Sequence, residues 1–385
     1  MSNSSNISDQ PLTGEQISNL RPLRARGKPP SKVTLYTSTF RLPEGAKASL
    51  VKIRGAAGTF KVQVSLPGKA IGHRAIFQNI PAQTPSKIGK SKKKSRPTVS
   101  DGGVRPLHLA VNFIPKKVEL KPNERTQPPI DFDYRREGEI VNRPTCIFVP
   151  DARHIYQDTN FPWSSVGRVD TPLGSCTGCT IGRRLLLTAN HMIQWNADGT
   201  AGWVRFRPAY YNGSAPFGEA WATRTLSWMK TTPADGLSDL EVAFDYVVCV
   251  LDSNMGDIVG CPNYETYDSR WNGGNYWQHM GYPADLSGAE RPSFQGNAII
   301  SSVQTHSTSG QSGYVLGHFN DIIFGHSGGP VWGWWADEPW PRVVGVQSSQ
   351  PFVCPTAPGD TSTDNQFGGG PALSNLISWA RSNYP

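Results

Sequence analysis

The stretch that most constrains this chain is residues 325–330, Gly-His-Ser-Gly-Gly-Pro, in which a serine stands among glycines. Small residues on both sides place Ser327 on a tight turn, where a substrate can approach its hydroxyl and the neighbouring N–H groups. The same residues satisfy the Gly-x-Ser-x-Gly pattern of α/β-hydrolases, in which the histidine follows the serine along the chain. No histidine follows Ser327. That order is therefore excluded, and a histidine base must lie upstream.

His191 is the best candidate for this base. It follows an apolar run in residues 184–193, Arg-Leu-Leu-Leu-Thr-Ala-Asn-His-Met-Ile. Such a run predicts a strand that fixes the backbone and a loop that leaves the imidazole free. An ordinary structural histidine is the alternative interpretation. Four other histidines lack the strand-to-histidine context and are interpreted as surface or structural residues: His154, His279, His306 and His318.

Asp245 is the candidate for the acid that orients the histidine. It precedes the apolar run at residues 246–251, which predicts a carboxylate at the head of a buried strand. A buried carboxylate beside an imidazole fixes its tautomer and stabilises the imidazolium ion. Asp239 is the alternative acid.

These segments resemble motifs of trypsin-like serine proteases. Residues 175–182, Ser-Cys-Thr-Gly-Cys-Thr-Ile-Gly, are similar to that family's Cys-x-Gly-x-x-Ile segment, and residues 184–193 to its Leu-Thr-Ala-Ala-His segment. Residues 245–251 resemble the Asp-Tyr-x-x-x-x-Leu motif of the glutamyl-endopeptidase-like branch of bacteria and fungi. The resemblance covers residues 141–385. It implies an all-β, chymotrypsin-like fold of two antiparallel six-stranded β-barrels with a C-terminal helix.

The resemblance also implies a serine endopeptidase that works through an acyl-enzyme intermediate. Ser327 would attack the carbonyl carbon, His191 would transfer the proton, and Asp245 would hold His191. The N–H groups of Gly325 and Ser327 would form the oxyanion hole. By the same match, Ser348 would donate a hydrogen bond to Asp245.

Five residues are expected to bind the substrate: Asp321, Gln347, Ser348, Ser349 and Gln350. Asp321 stands six residues before Ser327, where trypsin-like enzymes carry a carboxylate at the floor of the specificity pocket. Glutamyl endopeptidases often have aspartate there too, and they bind the substrate carboxylate partly through a histidine at the position of Gln347. Gln350 stands where a glycine usually opens the pocket. We rank a basic residue before the scissile bond first, glutamate second and a smaller residue third.

The N-terminal third of the chain is strongly basic. Residues 1–140 carry 25 Lys and Arg against 10 Asp and Glu, a net charge of +15, whereas residues 141–385 carry 13 against 20, a net charge of −7. We therefore divide the chain into a basic N-terminal extension, residues 1–140, and a protease domain, residues 141–385. The extension is interpreted as a removable pro-segment, a binding arm for nucleic acid or surfaces, or a solvated tail. Residues 1–32 contain few apolar side chains, and we expect disorder there.

The cysteines bear on cellular location. All six lie beyond residue 140: Cys146, Cys176, Cys179, Cys249, Cys261 and Cys354. An even number in the globular part predicts disulfides and secretion. Residues 1–18, however, lack the apolar core of a secretory signal, and no run approaches a membrane span. A zinc site at Cys176 and Cys179 is not expected, because no second close Cys or His pair is available. We expect no metal and no cofactor.

Two departures from the family narrow these expectations. Met192 stands where many relatives have a cysteine that would pair with Cys176. His326 replaces the acid that pairs with the freed N-terminus in trypsin-like zymogens, so that activation switch is excluded.

Two alternatives belong to other functional classes. One is an inactive protease homologue that serves as a binding module; the other is a nucleic-acid-associated protein that uses the basic arm. The basic residues at 87–96 lack interleaved aromatic side chains, which argues against nucleic acid as a partner. The expected partner is a protein or peptide substrate.

Overall fold

Short apolar and β-branched runs form strands along most of this chain, as their pattern predicts. The computed structural model describes residues 9–30, 34–35, 47–52, 60–65, 82–84, 102–120, 147–148, 150–232, 236–349 and 364–385. In chain order the strands are β1 Lys47–Lys52, β2 Phe60–Ser65, β3 Ala82–Gln83, β4 His154–Ile155, β5 Val166–Thr171, β6 Gly174–Gly182, β7 Leu185–Thr188, β8 Arg205–Pro208, β9 Ala220–Leu226, β10 Val247–Leu251, β11 Asn263–Tyr264, β12 Trp277–Gly281, β13 Ser293–Ala298, β14 Ile300–Thr308, β15 Gln311–His318, β16 Pro330–Gly333, β17 Arg342–Ser349 and β18 Asn365–Gly369. The α-helices are α1 Gly14–Ser18, α2 Asp239–Ala243, α3 Met255–Val259, α4 Ala284–Ser287 and α5 Pro371–Asn383.

Six antiparallel strands close into a first barrel, in the order β10, β7, β6, β5, β8 and β9, with β9 pairing back to β10. The two-residue strand β3 adds to β9 in parallel. Thr188, at the end of β7, pairs with Val247, at the start of β10. This register brings the residues that follow β7 and those that precede β10 to the same end of the barrel.

The second β unit is a nine-stranded sheet in the described part of the chain. Its order is β14, β15, β18, β17, β16, β12, β13 and β4, with β11 paired to β17. No ladder joins its edge strands β14 and β4 among the described residues, so it has more strands than the six expected and forms an open path. Strand β16, between β12 and β17, begins three residues after Ser327. The all-β class and the presence of two β units agree with the prediction.

The C-terminal helix also agrees with the prediction. Leu373, Leu376, Ile377 and Ala380 recur at helical spacing, and all four are buried in the core. Proline at the first position suits a helix N-terminus, because the N–H that proline lacks would have no partner there.

Parts of the N-terminal extension pack against the second β unit. Leu12 N–H donates a hydrogen bond to Trp334 O over 2.7 Å, and Ile17 and Val111 are buried beside Phe161 and Trp334. The expected disorder is therefore wrong for residues 9–30. The basic run at residues 90–96 lies outside the described residues.

A local sequence signal explains this error. Thr13 caps α1: its side chain accepts a hydrogen bond from Gln16 N–H, and the Gln16 side chain accepts one from Thr13 N–H. Thr-x-x-Gln is a capping box, which predicts a helix start even in a polar segment.

The described cysteines form no disulfide. Cys176, Cys179, Cys249 and Cys261 are buried free thiols, and burial raises their pKa values. The predicted disulfides are thus absent from these four residues, whose burial instead makes them small apolar core groups. Cys146 and Cys354 lie outside the described residues. No described helix has the length and apolar character that a membrane span needs.

Candidate active site

His191, Asp245 and Ser327 form a continuous hydrogen-bonded chain at the junction of the two β units. His191 Nδ1 lies 2.5 Å from Asp245 Oδ2, and His191 Nε2 lies 2.9 Å from Ser327 Oγ. Asp245 is fully buried, and the other two side chains are about as enclosed, each 4% exposed. The register of β7 and β10 explains the meeting of histidine and acid, because these residues flank the paired ends of the two strands.

The Asp245 carboxylate is held from three directions. Besides the histidine ring, it accepts hydrogen bonds from the backbone N–H of His191 over 2.8 Å and from Ser348 Oγ over 2.6 Å. The predicted contact of Ser348 is therefore present. Asp239 is instead the first residue of α2, in a helix start capped by Ser238. The structure thus brings Asp245, and not Asp239, to the histidine.

Asn190 stabilises the loop that carries His191. Its Oδ1 accepts hydrogen bonds from Trp195 Nε1 and Thr231 N–H, and its Nδ2 donates to Met229 O. Asn190 is not among the predicted site residues. The available signal was an asparagine at the position where the resembling motif has its second alanine, next to the histidine.

The serine turn requires its glycines. Gly325 has φ +98°, and a Cβ there would lie 2.0 Å from Tyr282 O; Gly328 has φ +83°, and a Cβ there would lie 2.2 Å from Thr177 O. Side chains would clash at both positions. No described residue accepts a hydrogen bond from the N–H of Gly325 or Ser327. Neither donor is thus used within the described part of the chain.

His326 is a buried structural residue. Its Nδ1 accepts a hydrogen bond from Ile323 N–H over 3.1 Å, which leaves Nε2–H to donate to Ser293 Oγ over 3.0 Å. Burial, reinforced by the nearby Arg153, lowers the pKa of His326 well below its ordinary value. The ring is therefore neutral, and it fixes the turn beside the serine without a charge.

Asp321 does not offer a free carboxylate. Its two oxygens accept hydrogen bonds from Phe148 N–H over 2.7 Å and Ala152 N–H over 2.8 Å, and the residue is 1% exposed. Burial raises the pKa of this carboxyl, whereas the two backbone donors favour its charged form. This placement differs from the predicted one at a pocket floor, because two backbone N–H groups distant in sequence occupy both oxygens.

A buried ion pair next to Asp321 joins the same segment to a neighbouring loop. Arg153 pairs with Asp285 through two hydrogen bonds of 2.7 and 3.2 Å, and it also contacts Asp151. Asp285 belongs to α4, and Ala284 in that helix donates its N–H to Phe324 O. Arg153 is not among the predicted site residues, because the residues around it in the sequence give no sign that its side chain is buried.

The other predicted substrate-binding residues lie on β17. Gln347 is buried, and its Nε2 donates to Gln366 O over 3.2 Å. Ser349 Oγ donates to Gln366 Oε1 over 3.3 Å. Gln350 lies outside the described residues. The residues on either side of Ser348 therefore carry neutral polar side chains that are hydrogen-bonded to Gln366 of β18.

No metal-binding group is present in the described part of the chain: no three His, Cys, Asp or Glu side chains cluster there as ligands. What the arrangement offers is a serine hydroxyl, a base that contacts it, and an acid behind the base. In this order, and between two antiparallel β units, these groups have the arrangement of the Ser-His-Asp triad in chymotrypsin-like serine proteases.

The chain is similar to known proteases in sequence and in structure. No protein-family model matches the chain. In sequence it is similar to the glutamyl endopeptidase of Bacillus licheniformis, with 26% identity over 182 residues, which are 47% of this chain. The match covers 52% of that relative, so the chain spans about half the length of the curated relative that it matches. This similarity confirms the resemblance to the glutamyl-endopeptidase-like branch of trypsin-like serine proteases.

Two solved structures are also similar to part of this chain. A Glu endopeptidase superposes with a TM-score of 0.47 and 17% identity, covering 61% of this chain and 99% of the other. The protease Anisep of Arthrobacter nicotinovorans gives a TM-score of 0.41 and 18% identity, covering 60% of this chain and all of the other.

Proposed function

We propose that this chain is a serine endopeptidase that hydrolyses peptide bonds in proteins or peptides. The observation that carries the proposal is the unbroken series of hydrogen bonds from Asp245 through His191 to Ser327. Ser327 Oγ attacks the substrate carbonyl carbon while His191 Nε2 takes its proton. The imidazolium ion that results is stabilised by the Asp245 carboxylate, which Ser348 and the His191 N–H hold in place.

The second half of the reaction uses the same groups. The imidazolium ion gives its proton to the leaving amine, which departs and leaves an ester between the acyl group and Ser327. His191 then takes a proton from water, and the hydroxide oxygen attacks the ester carbon. The bond from that carbon to Ser327 Oγ breaks as Oγ takes the proton from His191, and the carboxylic acid product leaves. In both tetrahedral intermediates the N–H groups of Gly325 and Ser327 donate to the oxyanion. Each such donor typically lowers the barrier by about 2.7–4 kcal/mol.

Substrate selection in this proposal rests on neutral groups. The carboxylate of Asp321 is occupied by backbone N–H groups, which removes the argument for a basic residue before the scissile bond. Gln347, Ser349 and Gln366 are buried polar side chains without charge. A neutral polar side chain that can both donate and accept hydrogen bonds satisfies such groups best. We therefore now place a neutral polar residue ahead of lysine, arginine and glutamate.

A fluorophosphonate probe tests the proposal. The intact chain should be labelled, and Ser327→Ala should abolish both labelling and hydrolysis of a peptide ester while thermal melting stays unchanged. Ser382→Ala, which changes an exposed serine of α5, is the matched control and should be labelled like the wild type. Failure of the folded wild-type chain to react would instead favour an inactive homologue that serves as a binding module.

A further inference from the structure

One threonine of the first barrel makes three hydrogen bonds to the segments that form the serine turn. Thr177, in β6, donates its backbone N–H to Ser327 O over 2.9 Å, and its Oγ1 donates to Gly325 O over 2.6 Å. The same Oγ1 accepts the N–H of Tyr282 over 2.9 Å. Thr177 is completely buried, so water does not compete for these contacts.

These contacts fix the two residues whose N–H groups would donate to the oxyanion in the proposed mechanism. A peptide N–H points opposite to the carbonyl of the preceding residue, because the peptide unit is planar and trans. The peptide that carries the Gly325 N–H is held through Phe324 O, which accepts from Ala284, and the one that carries the Ser327 N–H through His326 O, which accepts from Gly329. These bonds restrain each residue on its N-terminal side only.

Thr177 adds a restraint on the C-terminal side, where the same two peptide units also donate through His326 N–H to Ile323 O and through Gly328 N–H to Gln347 O. It binds the carbonyl oxygens of Gly325 and Ser327 themselves, so both peptide units around each donor residue are held. The restraint matters most at Gly325, because a glycine has access to many backbone conformations and could otherwise turn its N–H away. The backbone N–H of Thr177 would remain with any side chain, whereas the hydroxyl bonds to Gly325 O and Tyr282 N–H depend on the residue type.

We propose that Thr177 is a positioning residue, whose hydroxyl holds the Gly325 N–H group in the orientation that stabilises the oxyanion. This inference rests on the proposed endopeptidase function. Serine at position 177 can make the same two bonds, whereas valine has the shape of threonine but leaves Gly325 O and Tyr282 N–H buried without a partner.

Thr180 provides a matched control on the same strand. It is also completely buried, and its Oγ1 also donates to a backbone carbonyl, Gly260 O, over 2.6 Å. Thr180→Val removes an equivalent hydrogen bond from the same barrel without touching the serine turn. The pair Thr177→Val and Thr180→Val therefore separates loss of stability from loss of oxyanion binding.

The experiment measures kcat and KM on a peptide ester, and inhibition by a peptidyl aldehyde, whose adduct with serine is tetrahedral. For Thr177→Val we expect kcat to fall about tenfold to a hundredfold, somewhat less than after loss of a donor itself, with KM nearly unchanged. Aldehyde binding should weaken by a similar factor. Thr177→Ser should regain most of the wild-type kcat, and Thr180→Val should lose stability but keep its kcat.

Two failures are distinguishable. If the folded wild-type chain hydrolyses no ester, the proposed function fails. If the wild type is active and folded Thr177→Val keeps its kcat, or loses no more than Thr180→Val, the positioning role is overturned. Should Thr177→Val not fold, Thr177→Ala is read in its place by the same criteria.

Discussion

Three hydrogen bonds converge on the carboxylate of Asp245, and each places a donor against an oxygen that only accepts. An amide at this position would turn an NH₂ group toward at least one of those donors. The charge that stabilises the imidazolium ion would also be lost.

Asp245→Asn should therefore lower kcat by about a thousandfold or more, because His191 would be held in the wrong tautomer. Steady-state hydrolysis of a peptide ester measures this effect. Asp239→Asn alters a carboxylate in the first turn of α2 and serves as the control. A large loss of activity in the control with little in Asp245→Asn would show that the wrong acid has been assigned.

Asp321→Asn should weaken the fold without redirecting specificity. The new NH₂ group would face either Phe148 N–H or Ala152 N–H, leaving a buried donor unpaired at a cost of about 1–3 kcal/mol. Chemical denaturation gives the stability, and a peptide-library profile gives the specificity. A preference for arginine or lysine that disappears in this variant would restore Asp321 to the pocket floor.

The sequence predicts the meeting of His191, Asp245 and Ser327 because each stands in a distinctive local context, next to a buried strand or within a glycine turn. Asp321 shows the limit of such reasoning. Its position relative to Ser327 is visible in the sequence, but its occupancy depends on Phe148 and Ala152, which reach it only through the tertiary fold.

Long and short strands also differ in whether the sequence predicts them. The runs of β7 and β10 are apolar except for Thr188 and predict strands, whereas β4 and β11 have two residues each and carry no periodicity. Such short strands form where the neighbouring backbone offers free hydrogen-bonding groups. This explains two of the three strands by which the nine-stranded second sheet exceeds the six expected.

The segment at residues 150–153 binds the loop of α4 through Arg153, and this contact is open to a stability test. Arg153→Met should cost about 3–5 kcal/mol, because the buried Asp285 carboxylate would lose the guanidinium that compensates its charge. Urea denaturation measures the loss. Arg183→Met breaks the more exposed pair with Asp257 and should cost only about 0–1 kcal/mol. Equal effects in the two variants would contradict a structural role for the buried pair.

Buried histidines make the whole molecule sensitive to mild acid. Burial lowers the pKa values of His279, His318 and His326 well below 6.5, and nearby cationic or histidine groups lower them further. In the folded chain these rings stay neutral, whereas in the unfolded chain they bind protons below about pH 6.5. Unfolding therefore takes up protons, and stability falls as the pH drops below that value.

The free energy of unfolding should fall by up to about 1.4 kcal/mol per pH unit for each such histidine. Melting temperatures between pH 7 and pH 5 measure it. Replacing His279 by glutamine should flatten the curve, whereas His306→Gln, at a less buried position, should leave it unchanged. A curve that is flat in the wild type over this interval would contradict protonation on unfolding.

Removal of the N-terminal extension tests the division of the chain at residue 140. Burial of Ile17, Val111 and Phe113 contributes about 1.5–3 kcal/mol each, and their loss would expose Phe161 and Trp334. A chain that begins at residue 142 should thus melt at a lower temperature than the full chain. Deleting only the basic residues 87–96 is the control for charge. Equal stability and full activity in the truncated chain would support a removable pro-segment.

The sequence predicts the basic character of the extension but not its attachment. Charge and low apolar content describe residues 1–140 on average, whereas attachment depends on a few apolar side chains such as Leu12 and Ile17. Their partner Trp334 lies near the other end of the chain, and no local pattern connects them.

The central position of β18 in the second sheet has a consequence during translation. This strand lies between β15 and β17, yet it follows every other strand of its sheet along the chain. Until the ribosome has released residues 365–369, β17 lacks a neighbour on one side, and the serine turn that β17 helps to hold rests on an incomplete sheet. Contacts between residues so distant in sequence form late in folding. The serine turn therefore gains its full support only after this strand is made.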